Sequence, residues 1–364
     1  MSHPHRLGRA VAVLCAAALL AAACSKAPTT SAGSPSAKPT VNFLACQVTD
    51  TGGIDDRSFN ATAWKGVLDA EKTLGVQGKY LESTTQNDYA PNINAFLQQN
   101  CGIIVTVGFL LGDATKAAAT ANPNQKFAIV DFAYDPTIPN VLGLTFSTDQ
   151  AAFLGGYVAA GMTKTGKIGT FGGQNIPPVT IYENGFAAGI DYYNQQKGTN
   201  VQLLGWNAAK QNGLFTGDFE NQDNGRRVTE TLLQQGADII LPVAGPVGLG
   251  AAAAVQQANQ SGAHDLMVWV DVDGCVSAPQ YCSLFITSIE KNMDVAVEAS
   301  VKQALDNTFQ GGVYNGTLQN GGVGIAPFHD FDSQVSSQMK SELNTIKQGI
   351  ENGTISVNPK DYQS

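Results

Sequence analysis

Histidine is scarce in this chain. There are four in 364 residues, and His3 and His5 sit at the extreme N-terminus, leaving His264 and His329 for everything else. A histidine-based catalytic triad has little material to work with, and neither residue falls in a zinc-ligand spacing. Basic residues are outnumbered too, 21 Lys and Arg against 30 Asp and Glu, for a net charge of −9. Such a chain lacks the basic footprint that nucleic-acid phosphates require, so no nucleic-acid partner is expected. Anionic ligands would need a local basic pocket. No G-x-S-x-G elbow, H-E-x-x-H pair or Walker loop occurs. Beyond the N-terminus no segment has about eighteen uninterrupted apolar residues, the length a membrane span needs.

What is present starts with "MSHPHRLGRAVAVLCAAALLAAAC". Arg6 and Arg9 precede a short apolar run that ends in small residues, the pattern of a secretory signal peptide over residues 1–23. The ending "LAAAC" resembles the lipobox of bacterial lipoproteins, with Cys24 as the lipidated residue, although Ala21 stands where Leu is usual. Residues 24–40, "CSKAPTTSAGSPSAKPT", have no apolar periodicity and read as a flexible tether. These segments together predict a globular body held by lipid at the extracytoplasmic face of the cell membrane. Loss of residues 1–23 removes Arg6 and Arg9 but no acid, so the mature net charge is −11.

Four cysteines remain in the body: Cys46, Cys101, Cys275 and Cys282. An even number in an oxidising compartment points to disulfides. Cys275 and Cys282 enclose "VSAPQY", a loop that a disulfide could pin, which leaves Cys46 and Cys101 as the second pair. Zinc binding or free thiols are the alternatives, but there is no C-x-x-C spacing. No metal is expected.

From Val41 onward, strand-like and helix-like segments alternate: "VNFLACQV", a helix over about 58–74, "CGIIVTVG", "LGDATKAAATAN", "KFAIVDF" and "NVLGLTF". The alternation continues to "SLFITSI", "NMDVAVEASVKQAL" and a final helix at about 331–351. Near-continuous apolar strands in βα units imply parallel sheets covered by helices on both faces. A body of about 320 residues exceeds what one core usually serves, so two doubly wound lobes are expected. Ligands gather at the carboxyl ends of such strands. Those positions hold Asp50, Gly108 with Phe109, Asp131, Gly245, Asp271 with Asp273, and Glu290 with Lys291.

Two enzyme-like patterns need weighing. "TDTGGIDD" is superficially similar to the calcium-binding strand end of nucleoside hydrolases. Val48 replaces the first acid, however, and an extra glycine separates Asp50 from Asp55 and Asp56, which disturbs ligand count and register. The pair Asp55 and Asp56 reads mainly as a helix cap. Gly248, Gly250 and Ala253 spell a dinucleotide fingerprint, but Pro246 and Val247 lengthen its turn, so no cofactor is expected.

The stretch "VTDTGGIDDRSFNATAWKGV" resembles the start of the basic membrane protein family, lipoproteins akin to the purine nucleoside receptor of ABC importers. The likeness continues through "DQAAFLGGYVAAGMTKTGKIGTFGG", "YENGFAAGIDYY", "GADIILPVAGPVGLGAAAAV", "VWVDVDG" and "ITSIEKNMDVAV". It implies an α/β type I periplasmic-binding-protein fold, two Rossmann-like lobes joined by three crossovers. Lobe one would be 41–146 plus 284–312, and lobe two 147–283 plus 313–360. It also implies a non-enzymatic receptor whose partners are an ABC permease and ATPase, with the protein itself a monomer. By position, Asp50 matches the acid after the first strand, Phe59 a stacking aromatic, Asp131 an acidic strand end, Asp271 the ribose-binding carboxylate and Lys291 the lysine after "TSIE". Ser58 and Asn60 beside Phe59, with Phe109 and Gly245, complete the expected ligand contacts. A second stacking aromatic is not evident near "ILPVAGPVG"; Tyr182 or Phe109 is the substitute. A nucleoside is the expected ligand. A sugar or autoinducer-like ligand, or a calcium-dependent nucleoside hydrolase, is the alternative.

Overall fold

Uninterrupted β-branched and apolar runs make the strands at the centre of the molecule. The computed structural model describes residues 41–362; the expected signal peptide, lipidated Cys24 and tether lie outside them. The chain begins β1 (Leu44–Val48), α1 (Phe59–Leu74), β2 (Gln77–Leu81), α2 (Tyr89–Gln98), β3 (Ile103–Val107), α3 (Gly112–Ala121), β4 (Phe127–Val130) and β5 (Val141–Phe146). Every residue of β3, "IIVTV", is buried, as a strand covered on both faces demands. In α1 the buried positions Ala63, Val67 and Ala70 recur at helical spacing, and the helix stops at Gly75, whose φ of 75° suits a left-handed cap.

The second half adds α4 (Thr148–Met162), β6 (Lys167–Gly172), α5 (Pro177–Lys197), β7 (Gln202–Leu204), β8 (Trp206–Asn207), β9 (Asn212–Gly213), α6 (Gln222–Gln234), β10 (Ile239–Val243), α7 (Val247–Gln260), β11 (Leu266–Asp271), α8 (Gly274–Ser277) and β12 (Phe285–Lys291). Then come α9 (Met293–Leu305), β13 (Gly312–Gly316), β14 (Val323–Ile325) and α10 (Ser337–Glu351). The strands form two six-stranded sheets in the orders β13-β5-β4-β3-β1-β2 and β14-β12-β11-β10-β6-β7, with β8 and β9 as a separate pair. The first sheet is parallel throughout; in the second, β14 runs antiparallel to β12. Two doubly wound sheets in one chain are the expected type I architecture.

The chain passes between sheets three times, after β5, after β12 and after β13. These crossings are stitched together: Ser147 N–H donates to Gly316 O at 2.8 Å and Asn292 N–H to Gly322 O at 2.9 Å. The expected lobe boundaries need correction here. Residues 285–291 pair with β11 in the second sheet, and β13 at 312–316 pairs with β5 in the first. The sequence expectation put 284–312 in lobe one and the chain from 313 in lobe two. Both crossings therefore lie a few residues later, because β12 is a buried central strand and β13 completes the first sheet's edge.

Close helix packing holds the second lobe. An added Cβ on Gly156 would lie 2.1 Å from Phe186 O, and one on Gly189 2.0 Å from Phe153 O. Only glycine lets α4 and α5 approach this closely. The apparent dinucleotide fingerprint is explained in the same way. A Cβ on Gly250 would lie 1.9 Å from Gln222 O, so that residue seats α7 against α6. The two disulfides are Cys46–Cys101 and Cys275–Cys282, with Cα separations of 6.0 and 4.4 Å. Among the described residues, no helix is long and apolar enough to cross a membrane.

Candidate functional site

The carboxyl ends of both sheets face one cleft between the lobes, with about 580 Å³ of empty space that includes its opening to solvent. The first lobe contributes Asp50, Phe59, Asn60, Gly108, Phe109 and Asp131; the second contributes Tyr182, Phe219, Gly245, Asp271 and Lys291, with apolar neighbours such as Ile176, Val179 and Val270. Of the nine residues expected as ligand contacts, eight line this cleft. Ser58 is the exception: it lies behind the wall, buried, with its hydroxyl on Asp271.

The loop after β1 sorts its three acids by environment. Asp50 accepts from Asn60 Nδ2 at 2.7 Å and from its own turn at Gly52 N–H, 3.2 Å away. Burial raises the Asp50 carboxyl to about 6, against the pull of those two donors. Gly108, with φ 118°, makes room for it: a Cβ there would sit 2.8 Å from Asp50 Oδ2. Asp56 caps α1, accepting from the amides of Ser58, Asn60 and Ala61 at 3.0, 2.6 and 3.0 Å. Burial lifts Asp56 to about 7 despite these bonds. Asp55 is exposed, so the cap expected of the pair belongs to Asp56.

At the centre a lysine lies between two carboxylates. Lys291 Nζ is 2.7 Å from Asp131 Oδ2 and 3.7 Å from Asp271 Oδ1. All three side chains are buried, and their formal charges leave one negative in excess. Burial pushes Asp131 upward, while Lys291 opposes that shift. Asp271 accepts from Tyr182 OH at 2.6 Å on one oxygen and from Ser58 Oγ at 2.5 Å on the other. Burial, then the neighbouring Asp271 charge, holds the Tyr182 phenol well above its usual range, which keeps it a donor. The ammonium also sits 4.8 Å from the Phe59 ring centroid and 5.4 Å from that of Tyr182, a cation–π arrangement that helps offset its burial.

Both strand-end acids adopt a left-handed backbone, φ 63° at Asp131 and 69° at Asp271. Aspartate tolerates that region better than most residues, and the resulting turn carries both carboxyl groups into the cleft.

An aromatic that the sequence did not bring to the cleft is Phe219, which lines it. It lies in "TGDFENQDNG", the loop between β9 and α6, and not near "ILPVAGPVG". Asp218 organises this loop by accepting from Glu220 N–H at 3.0 Å, Asn221 N–H at 2.7 Å and Asn224 Nδ2 at 2.6 Å. The ring rests on Gly173, where a Cβ would come within 2.3 Å of Phe219 Cε1. The signal that could have found it is an aromatic isolated in a polar, turn-rich loop. Tyr182 also lines the cleft, its ring beside the Lys291 ammonium. Phe109 does line the cleft, leaning on Phe132 with centroids 5.2 Å apart.

Asp273, Cys275 and His329 bring possible metal donors within 4.8 Å of one another. The Cys275 sulfur is joined to Cys282, and His329 Nε2 is 2.7 Å from Asp273 Oδ2. The group is therefore a helix cap with its hydrogen-bonding partner beside a disulfide.

Residues 43–361 match the model of the Bmp family, described as ABC transporter substrate-binding protein, PnrA-like. The chain belongs to this family. It is 30% identical over 347 residues to the ABC transporter nucleoside-binding protein BmpA of Lactococcus lactis, covering 90% of this chain and 93% of that one. It is 31% identical over 318 residues to basic membrane protein A of Borreliella burgdorferi, with 86% and 87% covered. Among solved structures it is similar to an ABC transporter solute-binding protein of Aeropyrum pernix, with 27% identity, a TM-score of 0.78 and coverage of 86% and 92%. The family fixes the class: a substrate-binding component of an ABC transporter and not an enzyme, which removes the hydrolase alternative.

Proposed function

We propose that this family member captures a nucleoside, most simply a purine nucleoside, in the interlobe cleft and presents it to an ABC permease and its ATPase. The observation that carries the reading is the pairing of flat apolar walls with carboxylates that outnumber the one lysine among them. Phe59, Phe109 and Phe219 offer faces to a base. Asp50, Asp131 and Asp271 offer acceptors to ligand O–H and N–H groups, with Lys291 as the cation among them. The buried Asn60 Oδ1, which has no hydrogen-bond partner among the described residues, is a further acceptor. An excess of carboxylate disfavours a phosphate, so the nucleoside fits better than its nucleotide. The Lactococcus relative's name as a nucleoside-binding protein supports the same ligand class.

Lipid attachment at Cys24 and the tether over 25–40 would hold the protein as a monomer at the outer face of the membrane. The test is a thermal-shift assay on protein lacking residues 1–24 with inosine, guanosine, adenosine, cytidine and the free bases. Binding to the folded state alone raises the melting temperature, by about 2.7 kcal/mol of added stability at a ligand concentration one hundred times Kd. A flat response to all nucleosides removes the ligand assignment and leaves the family; a response to a sugar alone replaces it.

A further inference from the structure

One hydrogen bond in the site has no counterpart in a simple binding role. Ser58 Oγ donates to Asp271 Oδ2 at 2.5 Å across 213 residues of sequence. Ser58 stands immediately before α1, which packs against α9 in the first lobe. Asp271 ends β11 in the middle of the second sheet. Both are withdrawn from solvent, with 0% and 6% exposure. The bond therefore joins one lobe to the other.

Its position differs from that of the other polar tie at the cleft. Lys291, bound to Asp131, is the last residue of β12 and immediately precedes a crossover, so the hinge itself keeps it near the first lobe. Ser58 has no such chain connection to Asp271. Separation of the lobes must break Ser58–Asp271.

We propose that Ser58 is a closure latch, a positioning residue that holds the two lobes together through Asp271 instead of touching the ligand. The same carboxylate then has two roles. Tyr182 fixes it from within its own lobe, Ser58 clasps it from the opposite lobe, and its remaining acceptor capacity faces the cleft. A buried hydrogen bond to a charged group is among the stronger kinds, so its loss should reduce the closed-to-open ratio about tenfold or more. Apparent affinity falls by the fraction of binding-competent protein lost. The inference rests on the receptor reading, but not on the ligand being a nucleoside.

Ser58→Ala is a clean perturbation because the backbone of Ser58 keeps its bonds. Its N–H still donates to Asp56, and its carbonyl still accepts from the Thr62 amide and hydroxyl. Spin labels on Lys116→Cys in α3 and Glu230→Cys in α6, both exposed positions, report lobe separation by pulsed electron resonance. With protein lacking residues 1–24, Ser58→Ala should shift the distance distribution toward the longer population. Dissociation of inosine should accelerate about tenfold, and Ser58→Thr, which restores a hydroxyl, should recover both. An unchanged distribution in Ser58→Ala, alone and with inosine, overturns the latch. So does weakened inosine binding with unchanged distances, which would make Ser58 a ligand contact. If inosine fails to bind any variant, the nucleoside reading falls and the distances of the ligand-free protein still decide the latch.

Discussion

Glu183→Gln is expected to stabilise the protein at neutral pH, which is unusual for a substitution in a core. Glu183 lies on α5 with 0% exposure, and neither carboxyl oxygen has a hydrogen-bond partner among the described residues. Burial raises its pKa from the ordinary 4.5 to about 9. The folded protein thus binds this proton more tightly than the unfolded chain does. For a raised carboxyl, stability is greatest below the unfolded pKa and falls as pH rises, until the folded pKa is reached. The window for Glu183 is therefore about pH 4.5 to 9. At pH 7 the lag is about 2.5 pH units, or about 3 kcal/mol at 1.36 kcal/mol per unit. Glutamine has almost the same shape and does not titrate, so it lacks this penalty. Urea unfolding of both proteins at pH 4, 5.5, 7 and 8.5 should show a gap that opens in favour of the glutamine variant as pH rises. Asp50 and Asp56, raised to about 6 and about 7, slope the same way in both proteins and cancel in the difference. A pH-independent gap, or a variant that loses stability relative to the parent toward pH 8.5, would refute the reasoning.

Other outcomes follow from the site and the disulfides. Asp271→Asn should weaken binding of inosine far more than of hypoxanthine in calorimetric titrations, whereas Phe219→Ala should weaken both alike, by about tenfold for a lost stacking face. Equal losses in the first case would argue against a role for Asp271 toward ribose hydroxyls. Replacing Cys46 and Cys101 together by alanine opens a loop closed across 55 residues and should cost about 4 kcal/mol of unfolding free energy. Chemical denaturation under non-reducing conditions measures it, and a change near zero would mean that the disulfide adds nothing to chain entropy.

How far the sequence carried can be judged from individual elements. The strands with continuous burial, such as β3 and β10, announced themselves, as did α1, whose apolar spacing and terminal Gly75 define it. The segments that escaped notice, β2 and α2, belong to the edge of the first sheet. In β2, "QGKYL", no residue is fully buried, so there is no apolar run to read. The same is true of β13, "GVYNG", where only Gly316 is buried. Its membership in the first sheet depends on a pairing with β5 more than 160 residues earlier in sequence, which local pattern cannot reveal. The strand-end acids were legible because a doubly wound lobe directs its strand ends to the cleft. Phe219 was not, since a loop brings it there. Ser58 was placed in the right neighbourhood on the strength of "SFN", but its partner Asp271 ends a strand of the other sheet, and only the tertiary arrangement shows it.

The left-handed backbone at Asp131 and Asp271 has a bearing on how the site is dissected. Each position filters its occupant twice, first by conformation and then by chemistry. Alanine or a β-branched residue would fail the first filter, at a cost on the order of 1 kcal/mol or more, before its missing carboxylate was ever tested. Asparagine passes the first filter and isolates the second, so it is the informative replacement at both strand ends. It follows that an aspartate or asparagine found at these two positions in another protein speaks for the turn as much as for the ligand.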